Sequence, residues 1–169
     1  HSVFSRILRA EAEVLGFTSD FTIYDASDSK SLIKTIINEM QLDEKAYKPS
    51  AVQSRISNAK NHLVSPDAYA SSAEVRKADQ EAKLSEIHRI YRRYWDRCRQ
   101  SNAMDFDDLL VYTYILLKGK PELCAKYAER FRFVLVDEYQ DTNYAQHMIV
   151  QLLTEKSRHI CVVGDDAQS

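Results

Sequence analysis

The chain has 169 residues, 44% of them hydrophobic, and a formal net charge of -2. That is enough apolar content to bury one substantial core, or one domain and part of a second, and it excludes a disordered tail. There is no apolar run of membrane-spanning length and no basic-then-apolar leader pattern, so neither a membrane span nor a signal peptide is indicated; the slight negative charge excludes a whole-domain basic coat of the kind many nucleic-acid binders carry. Cys98, Cys124 and Cys161 are odd in number and far apart, which fits reduced core thiols in a cytosolic protein better than a disulfide framework or a zinc site. With three glycines and three prolines, long helices are expected.

In chain order, residues 26 to 131 read as almost wholly helical. Leu32, Ile33, Ile36, Ile37 and Met40 make the apolar stripe of one helix, with Ser27 or Asp28 placed to cap it. After Lys48-Pro49-Ser50, a shorter stripe of Val52, Ile56, Ala59 and Leu63 stops near a turn signal at Ser65-Pro66-Asp67. The span from Ser72 to Ser101 predicts one long amphipathic helix, with Leu84, Ile87, Ile90, Tyr91, Tyr94, Trp95 and Cys98 on one face. Residues 105 to 118 and 121 to 130 predict two more, separated by Gly119-Lys120-Pro121.

The pattern then changes. Phe133-Val134-Leu135-Val136 is a short β-preferring run that reads as a strand buried on both faces. A helix starting at Thr142 or Asn143 carries Met148, Ile149, Leu152 and Leu153, and His159 to Val163 forms a second buried strand ending in Gly164-Asp165-Asp166. Strand, helix and strand at this spacing predict a parallel βαβ unit, and ligands of open parallel sheets bind beyond the carboxyl ends of the strands. Asp137 and Glu138 stand at such an end. One carboxylate can hold a hard cation such as Mg²⁺ while its neighbour accepts a proton from an attacking water. The same pair also reads as a helix cap with solvated charge, and on the residues alone both readings stay open.

The wording around these carboxylates carries a resemblance. Val134 to Asn143, V-L-V-D-E-Y-Q-D-T-N, resembles the Walker B motif of the UvrD/Rep family of DNA helicases. Val162 to Ser169, V-V-G-D-D-A-Q-S, resembles that family's motif III, and Asn102 to Leu110 its N-A-x-D-F-D-D-L-L block. His1-Ser2 is similar to the tail of its T-F-H-S motif. The resemblance implies that Asp137 helps hold Mg²⁺, that Glu138 is the general base against the γ-phosphate of ATP, that Gln168 contacts that phosphate, and that Gln140 faces nucleotide or DNA. His1 and Ser2 would lie along single-stranded DNA.

It further implies a mostly α-helical insertion domain (1B) joined to a partial α/β, RecA-like P-loop NTPase segment with a parallel sheet. Residues 1–15 would end one motor-core (1A) segment, residues 16–118 would form the insertion, and residues 119–169 would resume the motor core. The implied function is ATP-driven movement on single-stranded DNA, 3′ to 5′, with unwinding at single-strand/duplex junctions in repair or replication, in a bacterial-type cytoplasm at the nucleoid. None of Gly16, Gly119 and Gly164 sits in a phosphate-cradling G-x-x-x-x-G-K-[ST] loop. The expectation is therefore an excised piece, inactive alone, that works with a Walker A region and a second motor domain elsewhere. A helicase-nuclease subunit of the RecB/AddA kind and a non-catalytic DNA- or partner-binding module are the alternatives.

Between Lys83 and Arg99 six basic residues face two acidic ones. Arg89, Arg92 and Arg93 head that stripe as candidate DNA contacts, against the alternative of a solvated helix face. Tyr91, Tyr94 and Trp95 share the apolar face and are expected in the core. Residues 54 to 62 are a second candidate surface. Asp105, Asp107 and Asp108 read as an N-cap and first-turn charges, and Asp141 as the cap of the helix that follows it.

Overall fold

The structure, a computed structural model, describes residues 2–130, 135–136, 143–157 and 161–162. In chain order the elements are α1 (Ser2–Ala10), a 3₁₀ turn (Ala12–Leu15), β1 (Thr22–Tyr24), α2 (Ala26–Glu39), α3 (Pro49–Asn61), α4 (Pro66–Ser71), α5 (Ala73–Glu81), α6 (Ile87–Gln100), β2 (Ala103–Asp105), α7 (Phe106–Gly119), α8 (Pro121–Arg130), β3 (Leu135–Val136), α9 (Tyr144–Ser157) and β4 (Cys161–Val162). The described chain is mostly helical. β3 and β4 pair in parallel, Leu135 opposite Cys161 and Val136 opposite Val162, as the strand, helix, strand pattern predicts.

The helical stripes pack as read. In α2, Ile33, Ile36 and Ile37 are buried, although the cap is Asp25: its carboxylate accepts the Asp28 N–H at 2.8 Å while Asp28 returns the bond at 3.1 Å. Ile87, Ile90, Tyr91, Tyr94 and Cys98 of α6 are buried, and Trp95 packs partly buried against them. At ~1.5–3 kcal/mol per buried apolar side chain, that stripe outweighs the exposed ion pairs of the same helix, worth ~1 kcal/mol or less each. Cys98 and Cys124 are buried free thiols; Cys161 sits in β4, and its side chain lies outside the described residues.

Long helices, however, are not what the chain forms. The predicted helix from Ser72 to Ser101 is two helices, because Lys83 takes a left-handed conformation at φ 62°. There the Leu84 N–H reaches back to the Asp79 carbonyl at 2.8 Å and the Lys83 N–H to Gln80 at 3.0 Å, a Schellman closure made without glycine. Gln41 and Leu63, at φ 59° each, end α2 and α3 in the same way. Scarcity of glycine therefore did not lengthen the helices. Ser65-Pro66, read as a stop, opens α4: the Ser65 hydroxyl accepts the Ala68 N–H at 3.1 Å.

One strand, β2, falls within the span read as helical, and its partner β1 just precedes that span. β1 and β2 run parallel, with Thr22 opposite Ala103, Ile23 opposite Met104 and Tyr24 opposite Asp105. Three residues each are too short to carry a period-2 signal. The apolar core forms three clusters: α2, α3 and α6 around Ile36, Ile56 and Tyr91; α1, α7, α8 and α9 around Ile7, Leu116, Tyr127 and Ile149; and Leu8, Phe17, Phe21, Met104 and Tyr112 between them.

Candidate functional site

α7 enters the core charged. Asp105 caps it, accepting the Asp108 N–H at 2.8 Å, and Asp108 accepts the Asp105 N–H at 3.0 Å. Both carboxylates are buried. The cation that answers them is Lys60 of α3, itself 1% exposed, with Nζ 2.9 Å from Asp105 and 2.8 Å from Asp108. The Tyr94 hydroxyl donates to Asp105 at 2.7 Å, and the ammonium lies 4.7 Å from the Tyr94 ring centre and 5.6 Å from that of Trp95.

Two carboxylates against one ammonium leave an odd charge. Burial, followed by the repulsion of Asp105, pushes the Asp108 carboxyl up to about 7. Burial also acts on Asp105, but Lys60 and the hydrogen bonds from Tyr94 and Asp108 outweigh it and hold that carboxyl low. Lys60 is held well above its ordinary value, its desolvation overcome by the two aspartates. Sequence reading took Asp105 and Asp108 correctly as cap and first turn, but placed Lys60 on a surface. That is a correction, and its physical reason was present: Val52, Ile56 and Lys60 recur every fourth residue, so Lys60 lies on the buried stripe.

A cleft of about 510 Å³ opens beside this core, lined in part by Tyr24, Asp25, Gln53, Ser57, Asn61 and Asp107. Phe106, 49% exposed, stands at its edge. Burial and Asp105 raise the Asp107 carboxyl, while hydrogen bonds from Ser57 and Asn61 oppose that rise. From the same end of α3, the Asn61 Oδ1 accepts a hydrogen bond from Asn143 Nδ2 at 3.2 Å, and the His62 ring stacks on Tyr144 at 6.2 Å. Asn143 also caps α9, accepting the Gln146 N–H at 2.9 Å. Asn143 thus serves as a cap of α9; Asp141, the expected cap, lies outside the described residues.

The arginine stripe of α6 is largely answered by acids. Arg89 pairs with Glu86 at 2.7 Å, Arg92 with Asp67 and, at 3.8 Å, with Asp96, and Arg97 forks onto Glu39 at 2.9 and 3.0 Å. Arg99 donates to the Leu15 carbonyl at 3.0 Å and to the Tyr112 hydroxyl at 3.2 Å. Arg93 is exposed. With Pro66, Asp67, His88, Arg89 and Arg92 it lines a shallow recess of about 270 Å³. Four of the five α6 arginines thus spend hydrogen bonds within the molecule, which leaves Arg93 the freest cation of the predicted trio.

Asp137, Glu138, Gln140, Gln168 and His1 lie outside the described residues, as do Asp165 and Asp166; Ser2 opens α1, with its side chain outside them too. Among the described residues no cluster of His, Cys, Asp or Glu could hold a metal ion, and no helix is long and apolar enough to cross a membrane. What the structure does supply is the parallel β3–β4 pair, after whose final residues, Val136 and Val162, the sequence runs into Asp137-Glu138 and Val163-Gly164-Asp165-Asp166. Sequence reasoning missed Asn61 and Asn143 as partners because no periodicity links residues so far apart.

The family model of the UvrD/REP helicase N-terminal domain matches residues 1–169. Among curated relatives, the ATP-dependent DNA helicase PcrA of Leuconostoc citreum is 40% identical over 169 residues, covering 100% of this chain and 22% of that protein. The proteins of the same name from Staphylococcus aureus and Staphylococcus epidermidis are 38% and 37% identical, again over 100% of this chain and 22% of theirs. The chain therefore spans about a fifth of the length of the relatives it matches.

Proposed function

Since the chain belongs to the UvrD/REP helicase family, we propose that it is the part of an ATP-dependent DNA helicase that carries the water-activating carboxylates, and that the whole protein couples ATP hydrolysis to 3′-to-5′ movement on single-stranded DNA. The observation that carries the reading is the parallel β3–β4 pair, with an acidic motif following each strand in the sequence. In this reading residues 16–118 are the helical insertion, and residues 1–15 and 119–169 belong to a RecA-like motor core.

Asp137 and Glu138 suit a hard cation and a proton, respectively. Asp137 would hold Mg²⁺, which when bound neutralises phosphate charge and orients the γ-phosphate. Glu138 accepts the proton of the attacking water, while Asp137 beside it in the sequence serves the cation. Gln168 hydrogen-bonds the γ-phosphate and reports its loss to the DNA site, and Gln140 faces nucleotide or DNA. Phosphoryl transfer to water of this kind rests on positioning and electrostatics. Single-stranded DNA lies along His1 and Ser2, with Arg89, Arg92 and Arg93 as candidate contacts to DNA phosphates, Arg93 the freest of the three. The rest of the chain supplies the phosphate-cradling loop and the second motor domain.

The test is single-strand-stimulated ATP hydrolysis by the full-length protein beside its Glu138→Gln variant. The expected result is DNA-stimulated turnover that drops by about two or more orders of magnitude in Glu138→Gln, with nucleotide binding retained. Normal hydrolysis by that variant would refute Glu138 as the base and leave the carboxylates as capping groups, and a full-length protein without DNA-stimulated turnover would replace this reading with a non-catalytic binding module.

A further inference from the structure

α9 follows the strand that leads into Asp137 and Glu138, and what fixes it is of two kinds. Ala145, Ile149 and Leu153 bury its apolar side against α7 and α8. That packing is driven by a non-directional force. Directional contacts add to it: Cys124 Sγ donates to the Leu152 carbonyl at 3.6 Å near its far end, and at its first turn Asn143 Nδ2 donates to Asn61 Oδ1 at 3.2 Å.

Every polar atom of that contact is already assigned. Asn143 Oδ1 accepts the Gln146 N–H at 2.9 Å, and Gln146 Oε1 accepts the Asn143 N–H at 3.2 Å. The amide oxygen is therefore turned toward the helix and the NH₂ toward Asn61. Asn61 is oriented in turn: its Nδ2 lies 3.5 Å from Ser57 Oγ, and it lines the same cleft as Asp107 in the first turn of α7. Its acceptor end is left for Asn143. The neighbouring His62 and Tyr144 rings, 15° from parallel, close the same junction. Six residues separate Val136 from Asn143, and Asp137 and Glu138 are the first two of them.

We propose that Asn61 is a positioning residue for ATP hydrolysis: through Asn143 it fixes where α9 begins, and so ties the carboxylate-bearing connection to the helical α3–α7 junction. This rests on the reading given under Proposed function. The tie makes hydrolysis depend on how α3 and α7 are seated.

The full-length protein tests it, with steady-state kinetics over ATP concentration at saturating single-stranded DNA and with thermal unfolding alongside. Asn61→Ala removes the acceptor. Asn143→Asp keeps the α9 cap, for which Asp serves as well as Asn, but removes the donor. Each is expected to lower kcat by roughly five- to tenfold, the rate equivalent of one hydrogen bond, with KM for ATP within about twofold and the unfolding midpoint nearly unmoved. The double variant is expected to be no slower than the slower single, as for two ends of one contact. Wild-type kcat in both singles, or a loss in Asn61→Ala alone, or a kcat loss that tracks a fall in melting temperature, overturns the proposal. Glu138→Gln in the same assay separates the two claims: if it is inactive while both tie variants run at the wild-type rate, only the tie fails; if it hydrolyses ATP normally, the parent reading fails and takes the tie with it.

Discussion

Lys60→Met tests the charged core most directly. Nζ lies within 2.9 Å of both the Asp105 and Asp108 carboxylates, and methionine keeps the length of the stem while removing the charge. Two buried carboxylates are then left with the Tyr94 hydroxyl and the α7 N–H groups as partners. Removing one member of a buried ion pair costs ~3–5 kcal/mol, and at ~2–4 °C per kcal/mol for a chain of this size the melting temperature should fall by about 10 °C. The sign with pH follows from the shifts. Asp108 is raised to about 7, so its contribution is fully present below the ordinary carboxyl range and is lost as pH rises through 7. Asp105 is lowered, so its contribution is present above that range and is lost as pH falls through its depressed value. Lys60 is raised, and its contribution is lost only in strong alkali. The wild type should therefore weaken from pH 6 to pH 8. Lys60→Met should weaken more steeply over the same window, since both carboxylates must then ionise unpaired. Thermal unfolding followed by far-UV circular dichroism from pH 5.5 to 8 measures this, and adding Asp105→Asn and Asp108→Asn should recover most of the loss. A Lys60→Met cost below ~1 kcal/mol at pH 7.5, or one that does not vary with pH, would refute the account of a buried, charge-unbalanced cluster.

Other expectations are smaller in scale. Lys83→Gly should raise the urea midpoint, by the equivalent of up to ~1 kcal/mol, because the exposed Lys83 holds a left-handed conformation that costs its Cβ about that much; no change would mean that the strain is absorbed elsewhere. In DNA-binding titrations of the full-length protein, Arg93→Ala should reduce the slope of log affinity against log salt by about one, whereas Arg97→Ala should leave it unchanged because its guanidinium is already forked onto Glu39. Equal effects from the two arginines would show that the internal pairing does not hold Arg97 back. Burial pushes the Cys98 thiol up to about 12. At pH 8 it should resist alkylation in the native protein and react on unfolding, as mass spectrometry of the labelled peptide would report.

Much of the fold was legible because it is written in periodicity. The stripes of α2, α3 and α6 predicted which faces are buried, and Asp105 with Asp108 predicted the α7 cap. The parallel order of β3 and β4 followed from strand length and spacing. What sequence reading lost has two physical sources. Helix ends formed by Gln41, Leu63 and Lys83 carry no composition signal, since left-handed backbone at a non-glycine residue is imposed by tertiary packing. Contacts such as Asn61 with Asn143, or Thr22 with Ala103, join distant residues whose spacing obeys no local period. Lys60 differs from these. A lone lysine at the i+4 and i+8 places of an apolar stripe is a readable sign of a buried cation in search of an anion.

The β1–β2 pair has a topological consequence. The pair is parallel and only three residues long, so the chain leaves for α2 beyond Tyr24 and returns from α6 at Ala103, opposite Thr22, a short step back along the same pair. Because the two ends of what lies between are held close by that pair, changing its length costs little closure entropy. Replacing it outright is another matter. Asp105 and Asp108 stay with the frame, while Lys60 belongs to the part that would be removed. Any replacement would have to bring a cation to the same spot, or the frame would be left holding two buried carboxylates with no counterion.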